Sequence, residues 1–343
     1  MAKEWYFAGR DRTKPPPLEE NMQPHRTIAA LALCLVALAC HAQGTYPDHS
    51  IKIIVPFTPG TGIDILARTL GQKLGDEWKQ AVVVENRPGA SGNIGTDAVA
   101  KSAPDGYTLL MTANTLVLNR SLFKSIPYDP VKDFAPIAPL AIGSLALVVN
   151  PSVPANSVKD LVALAKAQPG KLNYASPGNG TPHHLAMELF KSSTGTNLLH
   201  VPYKGTAGAV QDLLGGQVQV MFLPVHVALP QVEAGKLRML AAGGTTRASA
   251  TPNVPSLAEA TGIRNIDTDI WYGLYAPAGT PPSIVAKLNA GINGLLHNPE
   301  VAQTLEKQGL QPTGGTPEAL GRITRDDLER WAKVVRDANI QPE

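Results

Sequence analysis

Two glycine turns, a carboxylate and a histidine pair are the places where this sequence could do chemistry. Pro59-Gly60-Thr61-Gly62 and Pro177-Gly178-Asn179-Gly180 each follow an apolar β-rich run and precede a helical pattern. A strand that turns straight into a helix aims backbone N–H groups and the positive end of the helix dipole at one point, which suits an anion. A carboxylate fits such a point as well as a phosphate does. Neither turn is a dinucleotide loop, because Ile65 and His183 stand where the third glycine is needed. Asp64, three residues after Thr61, has the spacing of a capping box; a ligand amine is the other partner it could meet. His183 and His184 are neighbours, so on a helix they point about 100° apart and cannot share a metal. That arrangement puts one ring in a cleft and packs the other. Arg87 and Lys204 follow the second strand of each half, where they could draw anions in or simply serve the surface. Thr112, Asn114, Thr206 and Trp271 fall at strand ends or in the loops after them, the crevice side of an open parallel sheet.

The sequence has no G-x-S-x-G, G-x-x-x-x-G-K-[ST], H-E-x-x-H or C-x-x-C. No catalytic residue, metal site or cofactor is therefore assigned. The two cysteines, Cys34 and Cys40, cannot make a four-cysteine zinc site. A net charge of +2 excludes a strongly basic nucleic-acid binder.

The elements that must position these groups alternate short apolar runs with helical patterns, from Ile51–Phe57 to Trp271–Ala276, the sign of βαβ units. Most runs are continuously apolar, as in strands covered on both faces. The grammar occurs twice. IKIIVPF, TPGTGI, DILARTLGQKLG and VVVENRPGA in one half answer to KLNYA, SPGNGT, PHHLAMELFKSSTG and LLHVPYKGTA in the other. Leu145–Asn150 and Trp271–Ala276 fall outside the repeat. If the chain crosses over just before each, every half receives one strand from beyond its partner, leaving two crossovers, a hinge and a cleft. Thr280-Pro281 and Thr316-Pro317 each read as a capping hydroxyl followed by the first helical residue. Leu320, Ile323, Leu328, Trp331, Val334 and Val335 then form one apolar stripe on the last helix.

Length of 343 residues, 43% of them hydrophobic, gives about two domains. Arg26 and the apolar run 27–39 precede Cys40-His41-Ala42. This has the form of a secretory signal peptide cleaved near Ala42, too short to span a bilayer. The first 21 residues are polar and fit no part of that plan, so Met22 is the expected start; lipidation of Cys40 is an alternative fate. The mature chain then has no cysteine, which suits an oxidising compartment.

IKIIVPFTPGTGID, VVVENRPGASGNIG, DGYTLL, SPGNGTPHHLAMELF, VPYKGTAGAVQDLLGGQV, EAGKLRMLA and WYGLYAPAGTP together resemble the extracytoplasmic solute receptors of tripartite tricarboxylate transporters, the Bug family. The resemblance runs from about Tyr46 to the C-terminus. It implies an α/β fold of two doubly wound lobes joined by two hinge crossovers, like type II periplasmic binding proteins. The expected divisions are an extension and signal peptide at 1–42, lobe 1 at 46–142, lobe 2 at 143–262, and a return to lobe 1 at 263–343.

The implied function is capture of a small carboxylate in the periplasm: a di- or tricarboxylate, an acidic amino acid or an aromatic acid. Delivery is to a membrane permease. Backbone groups of Phe57, Thr58, Gly60, Thr61 and Gly62 would hold one carboxylate. Ser176, Gly178, Thr181 and His183, with Gly205, Thr206 and Ala207, would complete the site. The family usually carries Pro-Gly-Gly after the first strand; here Thr61 replaces the second glycine. A ligand sensor docking on a signalling partner is a second reading. An exported enzyme using Asp64 or His183 is a third.

Overall fold

The computed structural model describes residues 46–264, 266–337 and 340–342. The expected signal segment and its cleavage point lie outside the described residues. Among the described residues the strands are β1 (Ile51–Val55), β2 (Val82–Asn86), β3 (Thr108–Ala113), β4 (Phe134–Gly143), β5 (Leu145–Val149), β6 (Asn173–Ser176), β7 (Leu199–Pro202), β8 (Val220–Pro224), β9 (Arg238–Ala242), β10 (Ile270–Pro277) and β11 (Leu310–Pro312). The helices are α1 (Gly62–Trp78), α2 (Asn93–Ala100), α3 (Thr115–Leu122), α4 (Val158–Ala167), α5 (Pro182–Thr194), α6 (Thr206–Leu214), α7 (Val225–Glu233), α8 (Leu257–Thr261), α9 (Pro282–Leu296), α10 (Pro299–Glu306) and α11 (Pro317–Asp337).

The strands form two sheets, ordered β11-β4-β10-β3-β1-β2 and β7-β6-β8-β5-β9. The continuous apolar runs become their buried centres. Ile51, Ile53, Ile54 and Val55 of β1, Leu109–Met111 of β3 and Val220–Leu223 of β8 are almost wholly shielded. Strands covered by helices on both faces need no polar alternation.

The written-twice sequence becomes two related sheets. In one, β2, β1 and β3 run parallel, and β10 lies antiparallel between β3 and β4. In the other, β7, β6 and β8 run parallel, and β5 lies antiparallel between β8 and β9. So the two runs outside the repeat occupy equivalent places, each in the sheet opposite the one the chain has just left. The first crossover is a single residue, Ser144, between β4 and β5; the second is the segment from Ala242 to Ile270, which includes α8. The sheets are mixed rather than purely parallel; a buried strand has the same composition in either direction, so its sense leaves no mark in the sequence.

The C-terminal helices pack on the first sheet. Leu320, Trp331 and Val335 of the expected stripe are buried, while Ile323, Leu328 and Val334 are half-buried. Thr316 Oγ1 accepts from Ala319 N (3.2 Å), as a cap should. Thr280 does not cap α9. Its hydroxyl donates to the Pro277 carbonyl (2.8 Å), and Pro281, with non-helical ψ 136°, is the residue before the helix. Leu185 of α5 packs with Leu118 and Leu122 of α3 and with Trp331 and Val335 of α11, so one apolar cluster joins the helices of both sheets. Among the described residues no helix is long and apolar enough to cross a membrane.

Candidate functional site

A cavity of about 650 Å³ lies where the loops after the parallel strands of both sheets meet. Six helices begin on its wall. Gly62 and Ile63 of α1, Thr115 of α3, Pro182 and His183 of α5, Thr206 and Ala207 of α6, and His226 and Val227 of α7 all line it, as does Gly92, the cap of α2. Each start offers N–H groups with no partner inside its helix, and dipoles that favour negative charge.

The loop after β1 carries Phe57, Thr58, Gly60 and Thr61 onto the wall. Gly60 holds φ +82°, a left-handed turn that costs glycine nothing. Asp64 stands behind this loop rather than on the wall. Its Oδ2 accepts from Gly60 N (2.9 Å) and its Oδ1 from Asn86 Nδ2 (2.9 Å), with Arg68 Nε 3.1 Å from both oxygens. Asn86 Nδ2 also donates to the Phe57 carbonyl (3.0 Å). Burial alone would raise the Asp64 pKa; the hydrogen bonds from Arg68, Gly60 and Asn86, and the Arg68 charge, outweigh it and hold the carboxyl below its ordinary range. Asp64 therefore serves as a clasp, reaching one residue beyond the capping-box partner. Thr61 Oγ1 donates to the Thr58 carbonyl (3.0 Å) instead of capping the helix.

The equivalent loop in the second sheet presents Gly178 (φ +146°), Thr181 and His183. Ser176 lies beneath it, wholly buried. Its Oγ accepts from Gly178 N (3.2 Å) and sits 2.7 Å from His200 Nε2. The next loop brings Gly205 (φ +148°), Thr206 and Ala207 to the wall. Tyr203 is held there by its hydroxyl, which donates to Asp212 Oδ2 (2.6 Å).

Neighbouring residues at the end of β3, the start of α3 and the start of β10 point different ways, which decides the remaining expected residues. Ala113 and Thr115 line the cavity; Thr112 and Asn114 beside them are buried off it. Ile270 and Tyr272 line it, while Trp271 between them turns away, its Nε1 donating to Asp327 Oδ2 (2.7 Å). Sequence reasoning missed His226, Tyr272, Ile270 and Ser91. The signal for His226 was available: β8 runs into α7 through the same kind of strand-to-helix turn. Ser91 belongs to an unusual run. Gly89, Ala90, Ser91 and Gly92 all have positive φ, two of them without being glycine. Ser91 Oγ donates to the Asn179 carbonyl (3.1 Å), bridging the two lobes, and Asn119 Nδ2 holds the Ser91 carbonyl (3.0 Å).

The wall is electrostatically plain. Among the described residues Lys204 is its only Lys or Arg, exposed, and no Asp or Glu lines it. Arg87 lies off the cavity, paired with Glu85. His184 faces away, its Nδ1 accepting from Gly180 N (3.1 Å) while its ring stacks on His200 at 4.1 Å. Burial, helped by the charge of His226, pushes the His183 imidazole down to about 4; burial lowers His226 as well. Both are neutral at pH 7. No group of three His, Cys, Asp or Glu among the described residues could hold a metal ion.

Two α/β lobes, each completed by a strand from beyond its partner and enclosing an anion-receptive cavity between them, define a two-lobed solute-binding protein. The pattern of the tripartite tricarboxylate transporter family receptor matches residues 66–340, and the chain belongs to that family. It is 41% identical to Protein BugT of Bordetella pertussis over 324 residues, covering 94% of this chain and 99% of BugT. Among solved structures it is similar to the periplasmic binding protein BugD (32% identity, 87% of this chain and all of that one, TM-score 0.79). It is also similar to R. palustris Rpa4515 with adipate (35%, 87% and 100%, TM-score 0.82), and to MatC from Rhodopseudomonas palustris with bound malate (29%, 84% and 100%, TM-score 0.77). The protein is thus a solute-binding receptor, and its family is one of receptors rather than enzymes.

Proposed function

We propose that the protein captures a small organic carboxylate between its lobes in the periplasm and delivers it to the membrane permease of a tripartite tricarboxylate transporter. The observation that carries this reading is the convergence, among the described residues, of six helix starts on one cavity whose wall has Lys204, exposed, as its Lys or Arg side chain. Backbone N–H groups and helix dipoles are well suited to a carboxylate and need no arginine clamp. The adipate and malate bound by two similar receptors support the same ligand class. Export by a cleaved signal peptide accords with the apolar run 27–39 and with the periplasmic relatives.

Binding without turnover is the simpler reading of the candidate acid–base groups. Asp64 is fully engaged by Gly60, Asn86 and Arg68, and His183 has no carboxylate to orient it. Calorimetric titration with citrate, malate, adipate, glutamate and benzoate tests the proposal. Heat of saturable binding to at least one acid is expected, and silence across all five would overturn it. Mass spectrometry of solute co-purified from the native periplasm would then name the ligand.

A further inference from the structure

His183 and His226 are the groups in the cavity that nothing so far explains. Both ring nitrogens of His183 and Nε2 of His226 are buried without a hydrogen-bond partner. Buried polar atoms are almost always paired, so orphaned ones in a binding cavity call for an account. The two rings come from the starts of α5 and α7 and are close enough to influence each other's charge. His226 also reaches the other lobe: a Cβ placed on Gly62, the first residue of α1, would lie 3.4 Å from its Cε1. The pair therefore stands where three helix starts from both lobes converge.

The other titratable or charged groups facing the pair are few. Lys204 and Tyr203 come from the loop before α6, and Tyr272 from β10. On α5 itself, His184 is turned to Gly180 and His200. On α1, Asp64 is tied to Gly60, Asn86 and Arg68. An anion entering this cavity therefore meets no buried cation, only two neutral imidazoles able to become cationic.

We propose that His183 and His226 act together as the proton acceptor of the cavity, so that an anionic solute is bound together with a proton taken from solvent. The inference rests on the reading of the cavity as a carboxylate site. The proton comes from water and settles on an imidazole nitrogen; no bond of the solute breaks. A carboxylate about 5 Å away, at an effective dielectric constant near 20, raises an imidazole's proton affinity roughly two- to three-hundredfold. Starting from about 4 for His183, that carries this imidazole above about 6 when a carboxylate is bound. The sign follows. Empty His183 is neutral down to about 4 and occupied His183 is cationic up to about 6, so affinity rises as pH falls through that window.

The test is titration of the wild-type protein with adipate, malate and benzoate in two buffers of different ionisation enthalpy, at about pH 6 and about pH 8. With the acids that bind, uptake of more than about half a proton is expected at the lower pH and almost none at the higher, with affinity about threefold tighter at the lower. His183→Gln with His226→Gln should bind with no proton uptake and no pH dependence. Binding with less than about a tenth of a proton taken up at pH 6 would overturn the inference while leaving the carboxylate reading intact. Failure of every acid to bind would instead remove the reading on which it rests. The wild-type measurement decides the matter without a variant.

Discussion

Asp64→Ala removes a carboxylate that organises the loop after β1. The side chain is 4% exposed, whereas its partner Arg68 is 53% exposed. Two of its bonds, to Gly60 N and Asn86 Nδ2, are 2.9 Å long and shielded. Hydrogen bonds to a charged group contribute about 1.5–3 kcal/mol each, and the half-exposed Arg68 contribution is largely recovered by water. The truncation should therefore cost about 3 kcal/mol of stability, read by urea denaturation. Asp64→Asn, which keeps one acceptor, should cost about half that.

Affinity for a carboxylate should fall with stability, since Phe57–Thr61 loses its anchor; roughly tenfold is expected. The pH dependence is fixed by sign. The Asp64 carboxyl is held below its ordinary value, so its contribution is present above the usual carboxylate range and is lost as pH falls through the lowered value. Asp64→Asn should flatten that acid limb. A variant that keeps full stability but loses affinity only for solutes bearing an amine would refute the clasp and make Asp64 a ligand contact.

Other perturbations probe the crossovers and the contact between the two sheets' loops. Asp269, just before β10, accepts from Gly244 N (3.2 Å) on the second crossover and is also hydrogen-bonded by Ser144, the first crossover, and by Leu145 at the start of β5. Burial, with the charge of Asp267, pushes its carboxyl up to about 7 against those bonds. A raised carboxyl gives stability that is present at low pH and lost as pH rises through about 7. Asp269→Asn should therefore match the wild type near pH 4 and exceed it by about 2 kcal/mol near pH 8, measured by thermal unfolding across pH. Ser91→Ala removes the bond to the Asn179 carbonyl across the lobes. It should weaken solute binding by up to about tenfold while leaving the unfolding midpoint nearly unchanged.

The fold was legible because the pattern was repeated. The two apolar runs that broke the repeat, Leu145–Asn150 and Trp271–Ala276, turned out to be β5 and β10, the strands placed in the sheet beyond each crossover. Their antiparallel sense was not legible, because burial on both faces erases any mark of direction. β11 escaped notice at three residues ending in Pro312, too short to form a pattern. Around the cavity the expected segments line the wall, while the residues within them that face it differ in part from those expected. Trp271 was named where Ile270 and Tyr272 face the wall, and Thr112 and Asn114 where Ala113 and Thr115 do. A continuously apolar strand gives no clue to which face is which. The positive φ of Ala90 and Ser91 was equally invisible, since neither residue type announces a left-handed turn.

Whether backbone or side-chain charge holds the solute is decided by one titration series with a bound carboxylate. Arg87→Ala and Lys204→Ala are compared with Gly60→Val and Gly178→Val, each first shown to be folded by circular dichroism. Arg87 lies off the wall and Lys204 is exposed, so each should lose less than about tenfold in affinity. Gly60 at φ +82° and Gly178 at φ +146° hold conformations that a β-branched residue rarely adopts, and a Cβ on Gly178 would also crowd the Tyr203 carbonyl at 3.3 Å. Their loops should lose the aim of their N–H groups, and affinity should drop more than about a hundredfold. A loss beyond a hundredfold in Arg87→Ala or Lys204→Ala, with both glycine variants close to wild type, would contradict the backbone site and place a charge clamp in its stead.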